Sequence, residues 1–357
     1  MMRIAIIGLG MAAGAHIKAL EELADRVEIS HAFSPSEERR AAAAANYGLR
    51  TTGELDAILS DPSVAGLLIL TPPNTHLELI ARAARAGKDI LLEKPLEVSA
   101  ARARACVDTA AGAGVKLGVV LQNRYRRASE HLATLIAGGR LGRIVSACAH
   151  VNSWRSQSYY DEPGRGTKAR DGGGVLLTQA IHTLDQLLWF AGDAASVCGF
   201  AMTSPMHRME TEDVATAVLR FRSGAIGAVT ATTCAYPGTP ERIEVIAERG
   251  TAVLSGGSLS AHFLDGAAIE MQDAAAGGGF GAQPMAFSHE PHRRLLEDFF
   301  AWMRGGPPPR ATAQDALRVQ HLIEALITSA SVGGAPIELA GPGASRPSEL
   351  SIPLLEA

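Results

Sequence analysis

The sequence predicts a doubly wound, parallel α/β domain followed by an α+β domain on a large, open, mostly antiparallel sheet. Three observations carry this expectation. The first third alternates short, wholly apolar runs with helical patterns, as strands covered on both faces by crossover helices do. From about residue 122 the strand-like runs lengthen and follow one another with few helices between them, which suits antiparallel pairing. With 357 residues, and about 150 per domain as a guide, two units are expected, at 1–122 and 123–357.

In the first unit "RIAIIG" reads as a strand, 14–24 as a helix, "VEISHAFS" as a strand and "SEERRAAAAANYG" as a helix closed by Gly48. A short helix "ELDAILSD", an apolar strand "VAGLLILTP", a helix "NTHLELIARAARAG" and a strand "DILLE" come next. The helix "SAARARACVDTAAGAG" and the strand "VKLGVVLQ" complete the series. The second unit opens with the helix "ASEHLATLIAGG" and continues through the strands "IVSACAHVNSW", "ASVCGFAMTS", "DVATAVLRFRSGAIGAVTATTC", "RIEVIAERGTAVLSG" and "LSAHFLDGAAIEMQ". One helix, "GGGVLLTQAIHTLDQLLWFAG", interrupts them. "AAAGGGFGAQP" reads as a loop, helices are expected near 290–304 and 313–332, and the tail after Gly333 reads as an irregular strap.

Composition narrows the function classes. The net charge of −4 makes no electrostatic case for nucleic acid or an anionic membrane, so a small molecule is the expected partner. Cys106, Cys148, Cys198 and Cys234 stand far apart with no CxxC pair, which fits a reducing cytoplasm. The chain opens without a cleavable leader pattern and contains no apolar span of about 18 residues. No metal is expected, because no cluster has ligand spacing along the chain.

In "GLGMAAG", Gly8 and Gly10 stand where the first strand turns into its helix. Glycine lets the backbone turn sharply and approach a pyrophosphate, whose charge the free N–H groups of the helix start favour. A Rossmann dinucleotide site is therefore expected, with Met11 and Ala12 in the turn and Gly14 packing the helix. At the end of the second strand, where NAD enzymes carry a ribose-binding acid, stands Ser34. Without that carboxylate a 2′-phosphate is not repelled and Arg39 or Arg40 can neutralise it, so the cofactor is NAD or NADP. The loop "TPPNTH" lies at the same sheet edge and supplies Thr71, Pro72, Asn74 and His76, the last as a packing residue rather than a catalyst. Glu93, Lys94 and Gln122 complete the expected cofactor border.

The stretch "KDILLEKPLEV" ends a buried strand on Lys94, with Pro95 fixing the backbone, a place that suits a cis peptide. That puts an ammonium beside the nicotinamide end of the site, where it can stabilise charge growing on a substrate oxygen. "GLG", "TPPNTHLELIARAARAGKDILLEKP" and "GGGVLLTQAIHTLD" together resemble the glucose-fructose oxidoreductase, inositol dehydrogenase and MocA-like family (Gfo/Idh/MocA), over nearly the whole chain. The resemblance implies a nicotinamide-dependent dehydrogenase or reductase acting on a secondary hydroxyl or keto carbon of a sugar, sugar acid or related polyol. It also implies a homodimer or homotetramer formed through the C-terminal sheet. A catalytically silent dinucleotide- and sugar-binding regulator, a keto-sugar reductase and an aromatic diol dehydrogenase are the alternatives.

With the motif aligned, His182 is the expected general base, since a neutral imidazole with a pKa near ~6.5 suits removal of a hydroxyl proton. Thr178 and His182, four apart, are expected on one helical face. Thr178 stands where the family often has aspartate; it can bond a substrate hydroxyl but holds no charge, so cyclitol specificity does not carry over. Asp185 is expected either to orient the imidazole or another neighbour, or to make a structural hydrogen bond. Arg124, Trp154, Arg155, Tyr160 and Lys168 belong to the densest aromatic and cationic region and are the expected substrate contacts, suited to sugar rings and acidic groups.

Overall fold

The computed structural model describes residues 1–272, 281 and 287–341. The first sheet consists of β1 (Met2–Ile7), β2 (Val27–Phe33), β3 (Thr51–Thr52), β4 (Gly66–Ile69), β5 (Asp89–Leu92) and β6 (Leu117–Val119), all parallel, in the order β3-β2-β1-β4-β5-β6. Helices α1 (Ala13–Glu21), α2 (Glu37–Tyr47), α3 (Leu55–Ser60), α4 (His76–Arg85) and α5 (Ala100–Gly112) connect them. Both faces are covered, so strands such as Gly66–Ile69 are buried at every position rather than at alternate ones. Local chemistry sets the helix ends: the Ser36 and Ser99 hydroxyls accept the N–H groups of Arg39 and Arg102, and Gly48 closes α2 in the left-handed conformation. The strand order reverses between β1 and β4, and that is where a crevice opens beyond the strand ends.

The second sheet has nine strands: β7 (Ile144–Asn152), β8 (Ala194–Met202), β9 (Val214–Phe221), β10 (Ile226–Thr232), β11 (Arg242–Ala247), β12 (Gly250–Ser255), β13 (Ser258–Phe263), β14 (Ala268–Met271) and β15 (Ile337–Glu338). Their order is β14-β13-β12-β11-β7-β10-β9-β8-β15, antiparallel except for the parallel pair of β7 and β10. Three of the long apolar runs are hairpins, β9–β10, β11–β12 and β13–β14. β15 lies in the tail expected to be irregular and pairs with β8, which satisfies part of that strand's open edge. The "AAAGGGFGAQP" stretch, apart from Gly281, lies outside the described residues, as does the tail from 342 onward.

Helices α6 (Arg127–Ala137), α7 (Gln157–Tyr160), α8 (Val175–Thr178) and α9 (Ile181–Ala191) precede β8, and α10 (Glu290–Met303) and α11 (Ala313–Ser331) follow β14. One face of the nine-stranded sheet packs on α9 and α11, where Leu184, Leu187, Val319 and Leu322 are buried. Helix α10 belongs elsewhere. It contributes Leu295, Leu296, Phe299 and Phe300 to the core of the first unit, each burial contributing about 1.5–3 kcal/mol. Gly118 in β6 makes room for it, since a Cβ there would lie 2.8 Å from the Phe299 ring. The first sheet ends with β6 and the second begins with β7, while α10 returns from the second unit to pack in the core of the first.

Candidate active site

A cleft of about 980 Å3 lies along the C-terminal edge of the parallel sheet. Gly8, Gly10, Met11 and Ala12 line its floor at the first strand-to-helix turn, and Phe33, Ser34 and Arg39 border it at the end of β2. Thr71, Pro72 and Asn74 follow β4, Glu93 and Lys94 follow β5, and Gln122 follows β6. Two glycines have specific reasons. Gly8 has φ +110° and a Cβ there would sit 2.8 Å from the Leu70 carbonyl carbon, whereas a Cβ at Gly10 would meet no protein atom within 4 Å. The turn is therefore pressed against β4 on one side and leaves space on the other, where a pyrophosphate can approach the amides. This cradle, continued along the strand ends, fits a dinucleotide.

At the ribose end the two arginines separate. Arg40 donates to the Ser34 carbonyl at 2.7 Å and the Pro35 carbonyl at 3.1 Å, so it braces the loop. Arg39 is exposed and lines the cleft. The Ser34 hydroxyl accepts the Ser36 N–H at 3.2 Å, which orders the turn after β2 without adding negative charge.

His76 does not reach the cleft. It is buried, with Nε2 2.9 Å from the Thr71 carbonyl and Nδ1 3.1 Å from those of Pro95 and Leu96. It ties the "TPPNTH" loop to the "EKP" loop, and burial lowers its pKa. His16 is likewise buried and bonds Glu93 at 3.0 Å.

The Lys94–Pro95 peptide is cis, and the Lys94 ammonium donates to the Thr178 carbonyl at 2.8 Å. Burial lowers the Lys94 pKa, partly opposed by Glu93 and reinforced by Arg155. His182 lines the same cleft, with the Gln122 side-chain amide 3.5 Å from its Nε2. Its pKa lies well below the ordinary histidine value, first through burial and then through the positive charges of Lys94 and Arg126. The imidazole is thus neutral near pH 7 and able to accept a proton.

The segment carrying these groups is not one helix. α8 ends at Thr178, the Ala180 N–H bonds back to Val175, and α9 starts afresh at Ile181. The four-residue spacing therefore does not place Thr178 and His182 on a common helical face. The Thr178 hydroxyl is also engaged locally, bonding the Gly174 carbonyl at 2.6 Å and the Gln179 side chain. What Thr178 offers Lys94 is its backbone carbonyl. Gly174 starts this segment against β9, where a Cβ would fall 1.8 Å from the Glu212 carbonyl oxygen, and the Glu212 carboxylate accepts the Gly174 and Leu176 N–H groups.

The expected substrate contacts divide. Arg155 lines the cleft, while Tyr160 lines a smaller adjoining cavity shared with Lys94 and Thr178, its hydroxyl donating to Thr233. Arg124 does not reach either space. Its guanidinium is 3% exposed, holds Asp185 at 2.8 and 2.6 Å, and donates to the Arg310 carbonyl at 2.7 Å. That also removes Asp185 from the imidazole. Trp154 packs edge-on against Tyr236, and Lys168 is exposed with its backbone N–H on Glu210; neither lines the cleft. Residues that sequence reasoning left out of the site include Arg126, Glu241 and His292, which line the cleft from loops and helix starts with no motif around them. Arg165 and Tyr159 also line it, the guanidinium 4.1 Å over the ring.

Fold and cleft together define a dinucleotide-binding oxidoreductase. Residues 2–121 match the oxidoreductase family with an NAD-binding Rossmann fold, and residues 129–253 match the GFO/IDH/MocA C-terminal domain. The chain belongs to the Gfo/Idh/MocA family of NAD-binding oxidoreductases. Among curated relatives it is 31% identical to the 1,5-anhydro-D-fructose reductase of Ensifer adhaerens over 209 residues, 56% of this chain and 60% of that one. It is 26% identical to the inositol 2-dehydrogenase of Rhizobium meliloti (strain 1021) over 92% of this chain and 96% of that one. The structure of the WlbA dehydrogenase from Bordetella pertussis, in complex with NADH and UDP-GlcNAcA, superposes with a TM-score of 0.81 at 28% identity, covering 95% of this chain and 99% of that one.

Proposed function

We propose that the protein moves a hydride between NAD(P) and a secondary hydroxyl or keto carbon of a sugar that carries an acidic group. The observation that carries this reading is that Lys94 and His182 line one cleft, close enough for the Lys94 charge to depress the His182 pKa, together with Arg155, Arg165 and Arg170. Glu162 pairs with both Arg165 and Arg170, and Asp171 approaches Arg170 at 3.8 Å, so these guanidiniums are held where they can fork onto a substrate carboxylate. The UDP-GlcNAcA held by the WlbA dehydrogenase supports the same class of ligand.

When bound, the nicotinamide supplies the hydride acceptor or donor. On this chain, Gly8 and Gly10 hold the pyrophosphate, and Arg39 beside Ser34 allows the 2′-phosphate of NADP as well as NAD. His182 accepts the hydroxyl proton as hydride leaves the carbinol carbon, and returns it in the reverse direction. Lys94, kept in place by the Thr178 carbonyl, stabilises the charge on that oxygen.

Replacing Lys94 with Ala should leave cofactor binding intact and lower turnover by about 10²–10³-fold, the usual effect of removing one such donor. Unchanged turnover on every active sugar acid would reject the role. Two further features complete the proposal. Phe200, Val218, Ile226 and Ile246 are 67%, 58%, 63% and 49% exposed on the open sheet, an apolar surface suited to a homodimer or homotetramer. Four free cysteines support a reducing cytoplasm. Among the described residues, no helix is long and apolar enough to cross a membrane.

A further inference from the structure

Three side chains from separate segments converge behind the cationic wall. Asp213 stands immediately before β9, and Cys234 follows β10, the strand paired with it; the Thr233 N–H bonds the Asp213 carbonyl at 3.0 Å, which brings the two side chains together. His207 folds back from the loop between β8 and β9. The His207 and Asp213 side chains are 1% and 0% exposed. Nδ1 of His207 lies 2.8 Å from Asp213 Oδ2, Cys234 Sγ lies 3.3 Å from the same oxygen, and the sulfur and the nitrogen are 3.8 Å apart.

As a purely hydrogen-bonded cluster this arrangement is oversubscribed. Asp213 Oδ2 is approached by His207, Cys234 and the Ser204 hydroxyl at 2.7 Å, while among the described residues Oδ1 accepts the Ser204 N–H alone. On the other side of the ring Nε2 faces a backbone acceptor, the Arg155 carbonyl at 2.9 Å. A cation at the point of convergence relieves the crowding on Oδ2. The ring then keeps one proton, on Nε2, and turns its Nδ1 lone pair inward. A histidine donating its second N–H to a backbone carbonyl is the usual outer support of a metal ligand.

We propose that His207 Nδ1, Asp213 Oδ2 and Cys234 Sγ form a structural Zn2+ site that fastens the 153–160 segment to the nine-stranded sheet. Tetrahedral Zn2+ with bond lengths of about 2.0–2.3 Å has S–N and S–O edges of about 3.6 Å and N–O edges of about 3.3 Å. The observed S–O and S–N separations of 3.3 and 3.8 Å bracket the first value, and the N–O pair must open by about half an ångström. The Ser204 hydroxyl, 3.3 Å from the sulfur, or a water takes the fourth position. Thiolate and carboxylate together cancel the charge of Zn2+, so the site is neutral where it is buried, and binding releases the thiol proton and the one on Nδ1. One imidazole, one thiolate and one carboxylate favour zinc over calcium or magnesium. Through Nε2 the ion holds the Arg155 backbone, and the ring packs 4.8 Å from that of Tyr160, so the ion orders the segment that presents Arg155 and Tyr159 to the cleft.

The full-length, untagged chain is loaded with Zn2+, desalted and analysed for metal, and in parallel loaded with Co2+ for absorption spectroscopy. The expected result is about one ion per chain, a thiolate-to-cobalt charge-transfer band, and a Zn2+-dependent rise in Tm. Cys234→Ser keeps a hydrogen-bond donor to Asp213 but should lose the band and at least tenfold in affinity; His207→Gln should lose affinity while leaving the thiol. Retention of no more zinc than in Cys234→Ser, or a cobalt spectrum without the thiolate band, overturns the proposal and leaves the cluster a hydrogen-bonded tether. Equal zinc in the wild type and both variants places the ion elsewhere and overturns it too.

Discussion

Arg124→Met is the most informative single change, because two readings of this residue predict opposite results. In the structure Arg124 is enclosed: it holds Asp185 at 2.8 and 2.6 Å, approaches Asp315 at 3.4 Å, donates to the Arg310 carbonyl and lies 5.3 Å from the centre of the Trp189 ring. Methionine fills most of the volume but leaves Asp185, fully buried, without its counter-charge. Removing one partner of a buried pair costs about 3–5 kcal/mol. For a chain of this size that lowers Tm by roughly 4–7 °C. A pH series adds a second constraint. Burial already raises the Asp185 pKa against the pull of Arg124, and without Arg124 it rises further. An acid whose folded pKa lies above its unfolded value favours the fold more as pH falls, so the deficit against wild type should shrink on acidification. Replacing Asp185 with Leu in the Arg124→Met background should recover part of the loss. Thermal melts of the three proteins across pH measure all of this. A wild-type Tm combined with a raised KM for substrate would refute the argument and return Arg124 to the substrate site.

Four further outcomes are expected. Arg39→Ala should weaken NADP by about tenfold or more, the worth of a charged hydrogen bond of about 1.5–3 kcal/mol, with little change for NAD; equal effects on both cofactors would exclude the 2′-phosphate role. In the oxidation direction, kcat/KM should fall on the acid side only well below the ordinary histidine value of ~6.5, as His182 protonates, and on the alkaline side below the ordinary lysine value of ~10.4, as Lys94 deprotonates. The stabilising effect of burying His182 neutral is complete above about pH 6.5 and is lost as pH falls toward its lower folded value, so His182→Gln should flatten the acid side of a stability profile. Changing both Val218 and Ile226 to Glu should shift the protein to monomer on light scattering; an unchanged mass would remove the open sheet face from the interface.

Near-continuous burial made the strands of the first unit readable, and capping residues and glycines made their helix ends readable, because each signal is local. Gly8 and Lys94 were readable as cleft residues for a related reason: a strand end in a doubly wound sheet places its next residue at the ligand edge whatever the rest of the chain does. His182, on α9, was indicated by the family resemblance, and it lines the same cleft. The single long helix expected through Thr178 and His182 was not found, because its apolar pattern continues across the break and only Gly174 packing against β9 and the Glu212 carboxylate sets how the segment begins. The cationic composition of the second unit was equally plain, but composition does not say which charges find each other.

That choice belongs to the tertiary structure. Arg124 and Arg155 are alike in sequence, yet one is enclosed by Asp185 and the other lines the cleft; Arg39 and Arg40 are adjacent, yet only Arg40 reaches two backbone carbonyls. His207, Asp213 and Cys234 have no ligand spacing along the chain and meet only because β9 and β10 pair. The linear pattern of residues was enough for the layers and the ligand edge of the parallel sheet, since burial period and turn geometry act over a few residues. Which polar groups are neutralised and which stay available follows from long-range packing, because in a low-dielectric interior a charge is governed by its nearest partner in space.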